Sequence, residues 1–254
     1  MVLRHAPKGL SQNAYDRGMI SLMTQELQAL IFDLDGTLAD TEEAHRQAFN
    51  EAFEACDLSW EWEPELYKRL LTVAGGRERI LAYAPAIQKD ILAHLHKETI
   101  AQLHAEKTKR YRAKVVAGQV RLRPGVAALI AMAQANGMKL GLATTTSRAN
   151  VKELLNVFFK GRNPFQVVVA GEDVKNKKPD PEVYRLALLQ LKVKPSHALA
   201  FEDSASGLAA AKAAGLRCIV TPTAWTEGGN FEDAALVRSD LDGLTLADLL
   251  RLPA

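Results

Sequence analysis

The sequence predicts an α/β protein: a parallel-sheet core with an α-helical domain inserted after the first strand. Three observations carry this. Four consecutive apolar residues, Ala29-Leu30-Ile31-Phe32, read as a strand buried on both faces, as strands of parallel sheets are. From residue 120 onward, short apolar runs alternate with helical patterns across turn residues, the signature of successive βα units. Between these parts, residues 42–118 carry apolar side chains only at helical spacing. The expected division is a core of residues 27–41 and 119–254, a helical cap of residues 42–118, and an N-terminal extension of residues 1–26.

The elements follow in order. After the strand comes Asp33-Leu34-Asp35-Gly36-Thr37-Leu38, where Gly36 lets the chain turn away and leaves the strand end open to a ligand. In the insertion, Ala44, Ala48, Ala52 and Ala55, with Phe49 and Phe53, mark a first helix. Further helices are predicted over 64–73, 77–83 and 86–117, with Gly75-Gly76 as the break between the second and third. A helix then starts after Pro124-Gly125 and stops at Asn136-Gly137. Strands at 139–143, 167–169, 198–201 and 218–220 alternate with helices over 150–159, from Pro181, and over 206–214. The hinges of the insertion fall near 39–42 and 118–124.

Composition narrows the function classes. A chain of 254 residues, 48% hydrophobic and 24% charged, suits a globular protein of one large domain or two modest ones. A formal net charge of +2 is too small to argue for nucleic-acid binding, and no apolar run is long enough to span a bilayer. Two distant cysteines, Cys56 and Cys218, suggest buried thiols in a reducing compartment. Residues 1–26 hold no apolar signal core and read as a disordered extension. The expected setting is the bacterial cytoplasm, or alternatively a plastid stroma, with the chain acting as a monomer.

Ligands of open α/β sheets sit outside the C-terminal ends of the strands, so the loops there carry the chemistry. Four polar groups occupy them: Asp33 and Asp35; Thr144-Thr145-Thr146-Ser147; Lys177-Lys178-Pro179; and Glu202-Asp203-Ser204. Two carboxylates one residue apart repel unless a divalent metal or a buried base lies between them. Phosphoryl transfer uses such a set. Asp33 and Asp203 suit Mg²⁺, one carboxylate attacks phosphorus and another supplies a proton, Thr144 binds phosphoryl oxygens, and Lys178 balances charge. Each group taken singly has a structural explanation: Asp-x-Asp in a turn, threonines or Glu-Asp-Ser as helix caps, Lys-Lys-Pro as solvated surface. Four strand ends that all mimic one mechanism make those explanations weaker together.

Asp33-Leu-Asp-Gly-Thr-Leu, Thr144, Lys178-Pro-Asp-Pro and Glu202-Asp203-Ser-x-x-Gly207 resemble, in order, the four signature motifs of the haloacid dehalogenase superfamily. The resemblance covers the chain beyond the extension and implies a Rossmann-like core with an inserted cap. It makes Asp33 the nucleophile and Asp35 the general acid and base. It also implies that Asp33, the backbone carbonyl of Asp35, and Asp203 hold Mg²⁺, with Glu202 nearby. The dehalogenases lack the second aspartate and use no metal, so Asp35 points to phosphate chemistry.

The substrate is expected to be chosen by the cap. Gly75-Gly76-Arg77-Glu78-Arg79 reads equally as a phosphate grip or as an ordinary helix start. Of the basic run Lys107, Lys109, Arg110, Arg112 and Lys114, only Lys107 is expected to meet substrate, and His45 reads as structural. His94, His96 and His104 lack ligand spacing, so no metal site is expected there. Gly36-Thr-Leu-Ala-Asp-Thr-Glu-Glu-Ala-His45, Trp60 and Trp62 with Tyr67, Gly75-Gly76-Arg77-Glu78-Arg79, Ala143-Thr-Thr-Thr-Ser147 and Lys177-Lys-Pro179 are together similar to the CbbY-type sugar bisphosphatases, which hydrolyse xylulose-1,5-bisphosphate, an inhibitor of Rubisco. By that resemblance Asp40, Tyr67, Gly75, Gly76, Arg77, Arg79, Lys107, Thr145 and Thr146 contact a small phosphorylated sugar. Arg77 stands where that group is expected to have lysine, which keeps charge but not geometry. A β-phosphoglucomutase is the alternative enzyme, since His45 and Arg77 also match it. A binding protein on the same fold is the third reading, against which the complete set of Asp33, Asp35, Thr144, Lys178 and Asp203 argues.

Overall fold

The apolar run that opens the core forms β1 (Ala29–Phe32), all four residues fully buried. The computed structural model describes residues 27–73, 75–87 and 97–253. The 1–26 extension, His94 and His96 lie outside them. A parallel sheet follows in the order β3-β2-β1-β4-β5-β6, with β2 (Lys139–Ala143), β3 (Val167–Val169), β4 (Ala198–Glu202), β5 (Arg217–Val220) and β6 (Leu236–Val237). Helices α5 (Val126–Ala135), α6 (Arg148–Phe159), α7 (Glu182–Leu191), α8 (Ala205–Ala213) and α9 (Leu246–Leu250) belong to this part.

Strand periodicity divides the core into two layers. Leu30, Phe32, Leu140, Leu142, Leu199, Phe201 and Ile219 face a cluster that includes α5, α6 and α9. Ala29, Ile31, Ala143, Ala198, Ala200, Cys218 and Val220 face α7 and α8. Both faces are therefore covered, which is why the strands read as unbroken apolar runs. Phe32 and Phe201 stack across adjacent strands with centroids 4.6 Å apart, a contact worth about 1 kcal/mol beyond burial.

The insertion contributes α1 (Glu42–Ala55), α2 (Pro64–Leu70), α3 (Gly76–Ile87) and α4 (Lys97–Val116). Its aromatic residues Phe49, Phe53, Trp60, Trp62, Tyr67 and Tyr83 form a third cluster of their own. α1 and α4 reach both regions: Ala44, Ala48, Tyr111 and Val115 join the sheet cluster, while Phe49, Phe53, Ile100 and Leu103 join the aromatic one. The two connections to the core run side by side. The Asp40 N–H donates to the Arg121 carbonyl at 3.0 Å and the Arg123 N–H to the Leu38 carbonyl at 3.0 Å.

The structure corrects several expectations. The second helix of the insertion ends at Leu70 rather than residue 73. The third runs through Ile87, past the expected end at 83, and the fourth is described from Lys97. β6 and α9 are too short to leave a periodic signal, at two and five residues. Cys218 is buried in β5, but Cys56 is exposed, because it caps the C-terminal end of α1 where the chain leaves the aromatic cluster. No described helix is long and apolar enough to cross a membrane.

Candidate active site

The register of the sheet assembles the site. Phe32 pairs with Leu142 on one side and Phe201 on the other. One residue further along, Asp33, Ala143 and Glu202 come level, with Thr144 and Asp203 just beyond. β1 is central, and the chain order reverses around it, so a crevice opens at its C-terminal end. Gly36 turns the chain away there at φ +78°, and a Cβ on it would collide with the Asp203 carboxylate.

Lys178 ties the three levels together. Its Nζ donates to Asp33 Oδ1 at 2.5 Å, to Glu202 Oε1 at 2.6 Å and to the Ala143 carbonyl at 3.0 Å. Glu202 is fully buried and also accepts from the Tyr184 hydroxyl at 2.5 Å and the Ser204 hydroxyl at 3.4 Å. Burial pushes the Asp33 carboxyl up to about 8, with Lys178 opposing and Glu202 and Asp35 adding to the rise. Asp203 is raised well above the carboxylate range by burial and by Asp33 and Glu202. Burial disfavours the Lys178 charge, but Asp33 and Glu202 outweigh it and raise its pKa.

A centre this rich in buried carboxylate fits a hard divalent cation. Oxygens of Asp33, Glu202 and Asp203 lie within 4.8 Å of one another. Asp33 and Glu202 each give one oxygen to Lys178, so their second oxygens and the Asp203 carboxylate are the ones left that could hold it.

Asp35 points to the other side of the crevice. Burial alone would raise its carboxyl, yet a hydrogen bond from His45, with positive charge behind it, holds it below its ordinary value. His45 Nε2 lies 3.3 Å from Asp35 Oδ1, and His45 Nδ1 lies 2.7 Å from Lys107 Nζ. A neutral imidazole satisfies both contacts, Nε2–H donating to Asp35 and Nδ1 accepting from the ammonium. Burial, with Lys107 nearby, lowers the His45 pKa and keeps it in that form. Lys107 is itself pushed down to about 7, by burial and by Arg79. The ring stacks on Tyr111 at 3.8 Å, and Lys107 sits 4.6 Å over the Phe49 ring. A carboxylate in the core is thereby wired to a lysine on α4.

Between these groups and the insertion lies a cavity of about 330 Å³. Among the anticipated residues, Asp33, Asp35, Thr144, Thr145, Thr146, Lys178 and Asp203 line it from the core, and Gly75, Gly76, Arg77, Arg79 and Lys107 from the insertion. Gly75, at φ +97°, turns the chain into α3. The Arg79 guanidinium is fixed by the Tyr67 hydroxyl at 3.0 Å and the Leu70 carbonyl at 3.1 Å. Tyr67 is fully buried and meets the cavity only through Arg79 and through Glu42, to which its hydroxyl donates at 2.7 Å. Asp40 is exposed, outside the cavity wall, with its carboxylate 3.5 Å from Arg123 Nε.

Sequence reasoning passed over several lining residues. Glu42 and His104 face the cavity from the insertion, and the buried Asn150 from the first turn of α6. Lys177 lines it too, and pairs with Glu78 at 2.7 Å, joining core to insertion. His45, expected to be structural, lines the cavity as well, and the Lys-Lys pair drew attention to Lys178 alone.

A model of the haloacid dehalogenase-like hydrolases matches residues 30–221. The protein CbbY of Rhodobacter capsulatus is 46% identical over 230 residues, 90% of this chain and all of that one. A crystal structure of a CbbY variant from Rhodobacter sphaeroides, in complex with xylulose-1,5-bisphosphate, is 45% identical with a TM-score of 0.80 over 88% of this chain and 99% of that one. A β-phosphoglucomutase from Clostridium difficile superposes with a TM-score of 0.73 at 21% identity, over 88% of this chain and 95% of that one, a likeness of fold alone.

Proposed function

Because the chain belongs to the haloacid dehalogenase-like hydrolase family, we propose that it is a Mg²⁺-dependent sugar phosphatase that works through a phosphorylated Asp33. The observation that carries the reading is the convergence of Asp33, Lys178, Thr144 and Asp203 on a cavity that the insertion lines with Arg77, Arg79 and Lys107.

The transferring phosphoryl group enters between Lys178 and the Thr144 hydroxyl. The Asp33 carboxylate attacks phosphorus, and the bond to the sugar oxygen breaks as that oxygen takes the proton of Asp35. His45, itself held by Lys107, keeps Asp35 oriented for that transfer. Water then gives a proton back to Asp35 and attacks phosphorus, which frees Asp33 and inorganic phosphate. Lys178 stays paired with Asp33 and balances the charge gathered on phosphorus. A Mg²⁺ held by Asp33, Asp203 and the Asp35 carbonyl would neutralise phosphate charge, so that a carboxylate can approach it.

The helical insertion, residues 42–118, is the cap, and the paired segments around Asp40 and Arg121 are its hinge. A cavity lined by cations from both the core and the insertion suits a sugar that carries two phosphates. Together with the sugar held by the CbbY variant, it favours xylulose-1,5-bisphosphate, hydrolysed to xylulose-5-phosphate and phosphate. The test is phosphate release, with Mg²⁺, from xylulose-1,5-bisphosphate, other pentulose bisphosphates and β-glucose-1-phosphate. Preferred hydrolysis of the first is expected. Conversion of β-glucose-1-phosphate to glucose-6-phosphate, without comparable bisphosphate hydrolysis, would make the protein a mutase.

A further inference from the structure

The loop after β5 crosses from the sheet to the inserted helices and is held stiffly. The Thr223 N–H donates to Thr226 Oγ1 at 2.9 Å, the Trp225 N–H to Thr223 Oγ1 at 3.1 Å, and the Glu227 N–H to the Thr223 carbonyl at 2.8 Å. Its base is gripped by Arg123, whose guanidinium donates to the Thr221 carbonyl at 2.5 Å and the Pro222 carbonyl at 3.3 Å. Arg123 also belongs to the paired segments that join insertion and core. Arg123 thus joins the two, its backbone pairing in the hinge and its side chain holding the loop.

This stiff loop presents an indole to the insertion. Trp225 meets Tyr67 edge-on, with centroids 5.5 Å apart and planes at 89°, and packs against the aromatic cluster. Two residues on, Glu227 pairs with Lys68 of α2 at 3.2 Å. Trp225 does not line the cavity, although Thr226 beside it does. What Trp225 touches is the residue that orders two cavity groups, because the Tyr67 hydroxyl joins Glu42 to Arg79.

We propose that Trp225 is a positioning residue for substrate selection: seated on Tyr67, it locks the Glu42–Tyr67–Arg79 chain and fixes the guanidinium that meets the non-reacting anionic end of a phosphorylated sugar. The claim deepens the phosphatase reading and rests on it. A guanidinium oriented before substrate arrives loses little freedom on binding, so its contribution falls on substrate capture rather than on the chemical step. The indole is large and rigid, and an edge-on contact needs an aromatic ring rather than mere bulk.

Two measurements decide it, made on the full chain with Mg²⁺. In steady-state kinetics on xylulose-1,5-bisphosphate, Trp225→Ala raises KM about five- to tenfold while kcat changes less than about threefold. Trp225→Phe keeps the ring and restores KM to within about twofold of the parent. In amide hydrogen exchange, Trp225→Ala speeds exchange in α2 and α3 and leaves β1 and β4 as they were. Unchanged exchange in α2 and α3, or a fall in kcat with KM unmoved, would overturn the proposal. If the parent releases no phosphate from the bisphosphate, the substrate reading fails by itself, and the exchange comparison still decides whether Trp225 holds Tyr67 and Arg79 in place.

Discussion

Replacing Lys178 with Met removes a buried ammonium and keeps most of its stem. The Lys178 side chain is 6% exposed and lies between an Asp33 carboxylate that is 10% exposed and a Glu202 carboxylate that is 0% exposed. Without it, Glu202 retains the Tyr184 and Ser204 hydroxyls but no opposite charge. Breaking a buried pair by deleting one partner costs about 3–5 kcal/mol. For a chain of this size that is a fall in Tm of about 6–20 °C. Urea unfolding in EDTA, followed by tryptophan fluorescence, measures it directly. The second substitution Glu202→Gln, made on top of Lys178→Met, removes the stranded charge and should recover at least about half of the loss. A Lys178→Met protein within about 1 kcal/mol of the parent, or a double variant no better than the single, would refute the reasoning. Phosphatase turnover should fall at least about a hundredfold in both, because the charge beside the attacked phosphorus is gone.

The pH dependence of Lys107 has a definite sign. Its folded pKa, about 7, is below the unfolded value, so between pH 7 and 10.5 the unfolded chain binds the proton that the folded one lacks, and stability rises with pH. Relative to Lys107→Met, the parent should gain up to about 5 kcal/mol across that window, read from urea midpoints; a flat difference would show that Lys107 titrates normally. Asp35→Asn should lower kcat about 10²- to 10⁴-fold on a sugar phosphate, while p-nitrophenyl phosphate, whose leaving group needs no proton, should still give a rapid first-turnover burst of p-nitrophenol before slow hydrolysis of the phosphorylated Asp33. A steady-state rate on both substrates equal to that of the parent would remove Asp35 from proton transfer. Gly36→Ala forces a side chain to φ +78° against the Asp203 carboxylate, so it should lose at least about 1–2 kcal/mol. Its affinity for a divalent cation, followed by calorimetry, should fall as well.

The parallel core was legible because both sheet faces are buried, which leaves continuous apolar runs at β1, β2 and β4. The cavity-lining loops after β1, β2 and β4 were legible because each directly follows such a run, whereas Lys178 lies well beyond the end of the half-buried β3. What the sequence hid depends on contacts distant along the chain. Glu202 stands beside Asp203 in sequence, but that its Oε1 takes both Lys178 and Tyr184 shows only in the fold. His45 and Lys107 are 62 residues apart and meet only because α1 packs on α4. Tyr67 acts on the cavity through Arg79, and Asp40 faces Arg123 from outside it. Neither relation leaves a periodic or motif signal.

The central claim is that the Asp33 carboxylate receives the phosphoryl group. Acid quench during turnover of xylulose-1,5-bisphosphate, followed by borohydride reduction, converts an aspartyl phosphate to homoserine. Peptide mass spectrometry is predicted to find homoserine at position 33 in the parent, and no phosphate release from Asp33→Asn. Turnover at the parental rate in Asp33→Asn, or homoserine formed at Asp35 instead, would contradict the account.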